Sequence, residues 1–377
     1  GYGDKTFDGE MIREKTVAGK SKIPSIHAML KLVLDYKATD LHITAGVPPS
    51  IRVDSEIKRL SMPTVTPDQV WEFANDVLTK EQREAFERDR EIDFAISLPD
   101  AGRFRVNMYK QRSSLSIAAR IIIENTPSIK ELAVPEWIKD YALKNQGLIL
   151  ITGPSGHGKT TTMSALVDII NSTRKCNIVT IEDPIEYLHK HKKCNVNQRE
   201  VGVDTESFAK GLKHVFRQDP DVIIIGEMRD AESIAIALTA AETGHLVIST
   251  LHSQNATTAV DRIIDVFPEH QQHQVRLQFA DSFLLVFAQR LVPKKSGKGR
   301  ILAYEKMANS HRVRSLIREG KTHNIRSFMQ VAADDLSSID QSLAKHCRNG
   351  EITFEEGLKY ADNASYFKDL TKISATY

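Results

Sequence analysis

Residues 153–160 read Gly-Pro-Ser-Gly-His-Gly-Lys-Thr, directly after the apolar run Leu148-Ile149-Leu150-Ile151 and ahead of the helix-compatible Thr161–Leu166. This is G-x-x-x-x-G-K-T between strand and helix, the spacing of a loop that wraps a triphosphate. The residue types answer to the ligand. Backbone N–H groups at a helix N-terminus must approach the phosphates, so Gly153, Gly156 and Gly158 carry no side chain there. The binding set is then Gly153, Pro154, Ser155, Gly156, His157, Gly158, Lys159, Thr160 and Thr161. Lys159 is placed to reach the β- and γ-phosphates, and the Thr160 hydroxyl to ligate Mg²⁺. A glycine turn before an ordinary helix has similar composition, but the strand in front favours a nucleotide site. ATP binding and hydrolysis are expected.

Two further apolar runs end in carboxylates. Asn177–Ile181 leads into Glu182-Asp183-Pro184-Ile185-Glu186, and Asp221-Val222-Ile223-Ile224-Ile225-Gly226 delivers Glu227. In an open α/β sheet the carboxyl ends of the strands are where ligands bind. The second run has the form of a Walker B motif, with Gly226 where many such motifs carry aspartate. A carboxylate here serves to hold Mg²⁺ and to take a proton from the attacking water. One strand-end carboxylate alone is usually a helix cap or a surface charge; two after a phosphate loop favour function. Glu227 is the first choice for organising Mg²⁺ and water, and Glu186 is the rival general base. A fourth run, Leu246–Leu251, ends at His252, which reads as a sensor of the γ-phosphate; His245 has the weaker case.

These elements need a scaffold. From about Pro135 strands and helices alternate, which implies a parallel sheet covered by helices. Residues 23–123 read instead as a smaller α+β unit: a helix containing Ile26, Leu30 and Val33, then strands at 41–44, 50–53 and 57–60 with an Asp54-Ser55 turn. A helical stretch over Val70–Phe86 and strands at 92–98, 103–110 and 115–123 complete it. In the strand from Arg103, period-two alternation sends Phe104, Val106 and Met108 to a core and Arg103, Arg105 and Asn107 outward. Arg112 and Arg120 lie nearby. Such arginines are commonly a solvated face; the functional alternative is a set aimed at another subunit's phosphate. Residues 124–134, with Pro127 and a following Pro135, read as a linker, and 135–377 as the second domain.

Composition sets the frame. At 377 residues two domains are natural, and 41% hydrophobic with 27% charged residues is ordinary for a soluble globular chain. A net charge of +2 gives no global attraction to nucleic acid. Cys176, Cys194 and Cys347 form no C-x-x-C pair, which argues against zinc or a disulfide framework and fits a reducing cytosol. No apolar stretch reaches 18 residues, and residues 1–22 are polar without a signal-peptide core, so they read as a flexible tail.

The motifs in this order resemble the secretion ATPases of the type II/type IV pilus superfamily. Residues 153–162 are similar to that family's Walker A, and Thr180–Tyr187 to its Asp box. Arg217–Asp230 is similar to its Walker B, and Ala241–His252 to its His box. Within the superfamily the chain is most similar to the retraction ATPases of type IV pili. Ala38–Pro49 resembles the start of their PAS-like N-terminal domain, and Val313–Lys321 their C-terminal retraction helix. Val313, Leu316 and Ile317 make its apolar stripe, and Arg312, Arg314 and Arg318 its solvent face. Assembly-type members carry a four-cysteine zinc segment that this chain lacks. Two positions depart from the pattern: His157 replaces a small residue and Ser315 an asparagine, and the extension after Gly357 is similar to accessory retraction ATPases. Because the loop binds through its backbone, the first departure implies only a modest change in rate.

The resemblance implies a RecA-like P-loop core with a smaller PAS-like α+β domain in front of it. It implies a homohexameric ATP-driven motor, Mg²⁺-dependent, peripheral to the cytoplasmic face of the inner membrane. Its partners would be an inner-membrane pilus platform protein and paralogous pilus ATPases, with hydrolysis swinging the domains about residues 124–134 to retract the pilus and power twitching. Arg105, Arg112 and Arg120 become arginine-finger candidates; Arg105 and Arg120 are favoured because strands hold them more rigidly than the Gln111–Ser114 turn holds Arg112. Assembly or type II secretion is the alternative within the family. The rival outside it, a nucleic-acid translocase, needs basic or aromatic pore loops. Only Lys190–Lys193 and Lys294-Lys295 are basic clusters, and such short runs are usually solvated. A non-catalytic ring is disfavoured by the intact phosphate loop, both carboxylate motifs and His252.

Overall fold

Phe104, Val106 and Met108 are buried while Arg103, Arg105 and Asn107 stay partly exposed, so the alternation read from the sequence is the pleat of a strand with one face on a core. The computed structural model describes residues 23–54, 56–99 and 102–372. The expected tail at 1–22, and Ser55 of the Asp54-Ser55 turn, lie outside the described residues. Two units divide between Glu124 and Asn125.

The first unit comprises α1 (Ile26–Asp35), β1 (Asp40–Thr44), β2 (Ser50–Val53), β3 (Glu56–Arg59), α2 (Pro67–Val77), α3 (Lys80–Asp89), β4 (Glu91–Leu98), β5 (Gly102–Gln111) and β6 (Ser114–Ile122). All pairings are antiparallel, in the order β3-β2-β1-β6-β5-β4. Met29, Leu30, Phe73, Phe86 and Phe104 share its core. The single helix expected over Val70–Phe86 is two. Thr66 and Thr79 each form a capping box, with Gln69 and Gln82 three residues on, and Leu78 between them is extended (ψ 134°). The apolar stripe runs through the break, which hid it.

The second unit carries α4 (Ile138–Ala142), β7 (Gly147–Thr152), α5 (Lys159–Thr173), β8 (Asn177–Glu182), β9 (Asn195–Glu200), α6 (Phe208–Val215), β10 (Val222–Ile225), α7 (Ala231–Glu242), β11 (Leu246–Leu251), α8 (Ala256–Asp265) and α9 (Glu269–Ser282). It continues through β12 (Phe283–Pro293), β13 (Arg300–Ala308), α10 (His311–Arg318), α11 (Ile325–Phe328), β14 (Leu336–Ser337), α12 (Ile339–Arg348), α13 (Phe354–Tyr360) and α14 (Ala364–Lys372). The sheet order is β14-β13-β12-β7-β11-β10-β8-β9, parallel from β12 to β9 and antiparallel at β13 and β14. Both faces of the central parallel strands are covered, so β7, β10 and β11 are largely apolar, whereas the edge strand β9 (Asn195–Glu200) is mostly polar. Leu148, Leu150, Ile223 and Ile225 face the cluster under α6–α9, and Ile149, Ile151, Val222 and Ile224 the one under α4 and α5. A third cluster, with Val292, Ala303, Leu343 and Phe367, seats α12–α14 on β12 and β13. The parallel register brings the carboxyl ends of β7, β8, β10 and β11 to one edge, where the motifs converge.

Candidate active site

The phosphate loop leaves β7 at Thr152 and enters α5 at Lys159. A Cβ on Gly153 would sit 2.6 Å from the Gln289 carbonyl oxygen, so backbone on β12 excludes every other residue there. Gly158 caps α5 in the left-handed region (φ 79°), a conformation glycine adopts without Cβ strain. The helix thus begins with Lys159 and Thr160, and its first-turn N–H groups have no intrahelical partners.

Lys159 is buried, and its Nζ makes three contacts: to Gly153 O at 2.6 Å, Pro154 O at 3.2 Å and His252 Nδ1 at 2.6 Å. On the far side of the ring, His252 Nε2 lies 2.9 Å from Glu227 Oε1. An ammonium only donates, so Nδ1 accepts and Nε2 carries the proton donated to the carboxylate. The other Glu227 oxygen accepts from Arg229 Nε at 2.7 Å and Nη2 at 2.7 Å. Burial pushes the Lys159 ammonium down from 10.5 to about 8, with Glu227 opposing the shift and Arg290 adding to it.

Lys159, Thr160, Glu182, Glu186, Glu227 and His252 line one cavity of about 170 Å³. Glu182 accepts from the Thr180 hydroxyl at 2.7 Å and from Gln198 Nε2 at 3.1 Å, but burial outweighs both bonds and raises its carboxyl from 4.5 to about 7. Carboxyls so shifted concentrate at functional sites. A Cβ on Gly226 would meet Glu182 Cα at 3.3 Å and Ile181 O at 3.4 Å; the aspartate common at this position has little room here.

Lys159, Thr160, Glu186, Glu227 and His252 are therefore brought together, and Pro154, Ser155, Gly156 and His157 form the loop above Lys159. The Thr161 hydroxyl pairs with Tyr187 Oη at 2.9 Å. His245 hydrogen-bonds Ala240 O at 3.1 Å and packs edge-on to Phe216, which is a structural role. The arginines belong to the first unit. Arg105 and Arg120 stand opposite each other on β5 and β6, Arg112 holds a positive φ (49°) in the turn between them, and Arg120 Nε donates to Asp40 at 2.9 Å. Helix α10 buries Val313 and Ile317 of the expected stripe, while Leu316 is only partly buried. Arg312 and Arg318 are exposed and Arg314 is half-buried, and all three are anchored: Arg312 pairs with Asp335 through two bonds of 2.7 Å, Arg318 with Asp281 at 2.6 Å, and Arg314 with Asn309 at 3.1 Å. Lys192 pairs with Asp168 at 2.7 Å, which spends part of the basic 190–193 run on packing.

Sequence reasoning assigned no role to Glu182, Arg229 or Gln289. Gln289 is fully buried on β12 and joins the loop to α5, donating to His157 O at 2.7 Å and accepting from the Thr162 hydroxyl at 2.8 Å. Its signal was there to read, a polar residue inside Phe287-Ala288-Gln289-Arg290-Leu291.

The donor set suits Mg²⁺. Among the described residues no three His, Cys, Asp or Glu side chains gather into a metal cage, while Thr160 and Glu227 put hard oxygen donors beside the phosphate loop. That is the partial shell this ion uses when phosphate and water complete its octahedron. No helix among the described residues is long and apolar enough to cross a membrane.

Compared with known proteins, the chain matches the Type II/IV secretion system protein family over residues 17–359. It is 39% identical over 348 residues to the type IV pilus ATPase PilU of Pseudomonas aeruginosa, covering 92% of this chain and 91% of that protein. It is 42% identical over 325 residues to the type IV pilus retraction ATPase PilT of the same organism, covering 86% and 94%. The crystal structure of the pilus retraction motor PilT with bound ADP superimposes with a TM-score of 0.86 at 41% identity, over 92% of this chain and all of that one.

Proposed function

The chain belongs to the Type II/IV secretion system protein family, and from that premise we propose that it is the ATP-driven motor that retracts type IV pili. That it binds nucleotide and hydrolyses ATP follows from the family and from its likeness to ADP-bound PilT. The observation that carries retraction is the agreement, at 41–42% identity over 86–92% of the chain, with PilT proteins named for that task.

The constellation supports a definite sequence of contacts. All three donors of the Lys159 ammonium are engaged, so an arriving γ-phosphate must exchange for one of them. His252 is the partner that yields, because it is a side chain and the other two are loop carbonyls. Its Nδ1, a lone pair with no proton to give, then turns away from the phosphate oxygens, while Nε2–H stays on Glu227 and passes the exchange to that carboxylate. Thr160 and Glu227 would hold Mg²⁺, which would neutralise phosphate charge when bound. Glu227 orients the attacking water, and Glu186 on the same cavity is the alternative base. The loop N–H groups and Lys159 stabilise charge as the bond breaks. We extend the reading to a homohexamer working with an inner-membrane platform protein, with Arg105 or Arg112 supplied to a neighbour's phosphate.

A strain whose only copy carries Lys159→Ala tests this: excess surface pili without twitching support a retraction motor, and bald cells would make it an assembly motor. The near-equal likeness to PilU favours an accessory role as second reading. Deleting paralogous pilus ATPases separates the two, since only a self-sufficient motor still retracts.

A further inference from the structure

We propose that the His157 side chain is a positioning residue for nucleotide binding, fastening the apex of the phosphate loop to β12 so that the loop's amides face the phosphates. The proposal rests on the nucleotide-site reading of residues 153–161 and goes beyond it, since that reading needs only the His157 backbone.

Three bonds grip the loop from the side of β12 and β13. Gln289 Nε2 donates to His157 O at 2.7 Å, and Arg300 Nη1 donates to Gly156 O at 3.1 Å. The Leu291 N–H donates to His157 Nδ1 at 2.9 Å. In a trans peptide the C=O and the following N–H point in opposite directions. Turning the Gly156 and His157 carbonyls toward β12 and β13 therefore turns the His157 and Gly158 N–H groups the other way. Successive N–H groups so aligned form an anion-binding concavity. The side-chain bond is the one that a smaller residue at 157 would lose.

The neighbours suit this role. The Tyr360 ring lies edge-on to the imidazole, with centroids 6.3 Å apart, so α13 backs the clasp. Tyr360 is held in turn by its own segment: Asp340 accepts from the Asp362 N–H at 2.8 Å and the Asn363 N–H at 3.1 Å, and Arg326 bridges the buried Glu305 to Asp362. The bond to Leu291 requires an unprotonated Nδ1. Arg290, Arg300, Lys159 and Tyr360 are the charged and titratable groups that face the ring. Burial and the three cations hold the imidazole below its usual 6.5, which keeps the clasp closed at neutral pH.

The test uses the purified full chain with a fluorescent ATP analogue and steady-state turnover. His157→Ala should raise Kd and KM about tenfold, the equivalent of one good hydrogen bond, with kcat changed less than KM. His157→Asn places an oxygen acceptor near Nδ1 and should recover most of the lost affinity. Equal affinity in wild type and His157→Ala, or equal weakness in both variants, overturns the proposal. Should the alanine variant fail to fold, the pair of wild type and His157→Asn still decides. Lowering the pH from 7.5 to 5.5 should weaken nucleotide binding in the wild type more than in His157→Asn, and parallel profiles would overturn it. Pilus phenotypes play no part, so failure here leaves the retraction reading standing and the converse also holds.

Discussion

Lys159 Nζ and His252 Nδ1 lie 2.6 Å apart, and through this contact the phosphate loop and the end of β11 share one hydrogen-bonded chain that runs on to Glu227 and Arg229. The lysine fixes the histidine tautomer, and the histidine presents its remaining proton to the carboxylate. A group that senses the γ-phosphate must be exchangeable with it, and this arrangement makes His252 so.

Proton linkage at Lys159 is the first consequence. Burial lowers its ammonium to about 8 in the free protein, whereas a bound triphosphate restores the charge. Near pH 8 ATP binding should therefore take up a fraction of a proton, and affinity should fall as pH rises from about 8 toward 10.5. Calorimetry in two buffers of different ionisation enthalpy measures the uptake. Binding without it would show that the ammonium keeps its charge unaided.

The His252 contact separates turnover from binding. His252→Ala frees one Lys159 donor and removes the proton held to Glu227. Turnover should drop about 10²-fold, the lower end of what a well-positioned catalytic base contributes, because Glu227 loses the partner that orients it, while KM for ATP changes by less than about threefold. A rise in KM at unchanged kcat would place His252 in ground-state binding.

Glu182 makes a stability prediction with a definite sign. Its folded carboxyl titrates near 7 against 4.5 in the reference state, so the stability it permits is full below about 4.5 and is lost as pH rises through 7. Glu182→Gln keeps acceptance from Thr180 and Gln198 and removes the buried charge. The variant should match the wild type near pH 4.5 and be more stable at pH 8, by up to about 3 kcal/mol. Chemical denaturation at the two pH values reads this, and equal differences at both would refute it.

Much of the site was legible because its four motifs sit at the ends of apolar runs, and a parallel sheet puts such ends on one edge. The runs at β7, β10 and β11 are buried from end to end, and β8 from Ile178 onward, as their composition foretold. What escaped reading depends on neighbours distant in sequence. Gln289 meets the loop only because β12 lies beside β7, across more than 120 residues of chain. Arg120 and Asp40 pair across 80 positions, so no local pattern announced the bond. The Thr66 and Thr79 capping boxes were local and readable, but the continuous apolar stripe masked the break at Leu78.

The arginines divide on geometry. Arg120 already serves Asp40, whereas no ion pair is formed by Arg105 or Arg112 among the described residues. Arg105→Ala or Arg112→Ala should lower oligomer turnover at least 10³-fold, as losing an arginine finger does, and Arg120→Ala should cost far less. Mixing Lys159→Ala with Arg105→Ala or Arg112→Ala subunits should restore activity if the guanidinium acts across subunits. No restoration would locate it within its own chain.

Pilus dynamics in living cells test the central claim most directly. With fluorescently labelled pili, a strain whose only copy carries Lys159→Ala should extend pili at the normal frequency and fail to withdraw them. Continued retraction at the wild-type rate, or loss of extension, would contradict a retraction motor.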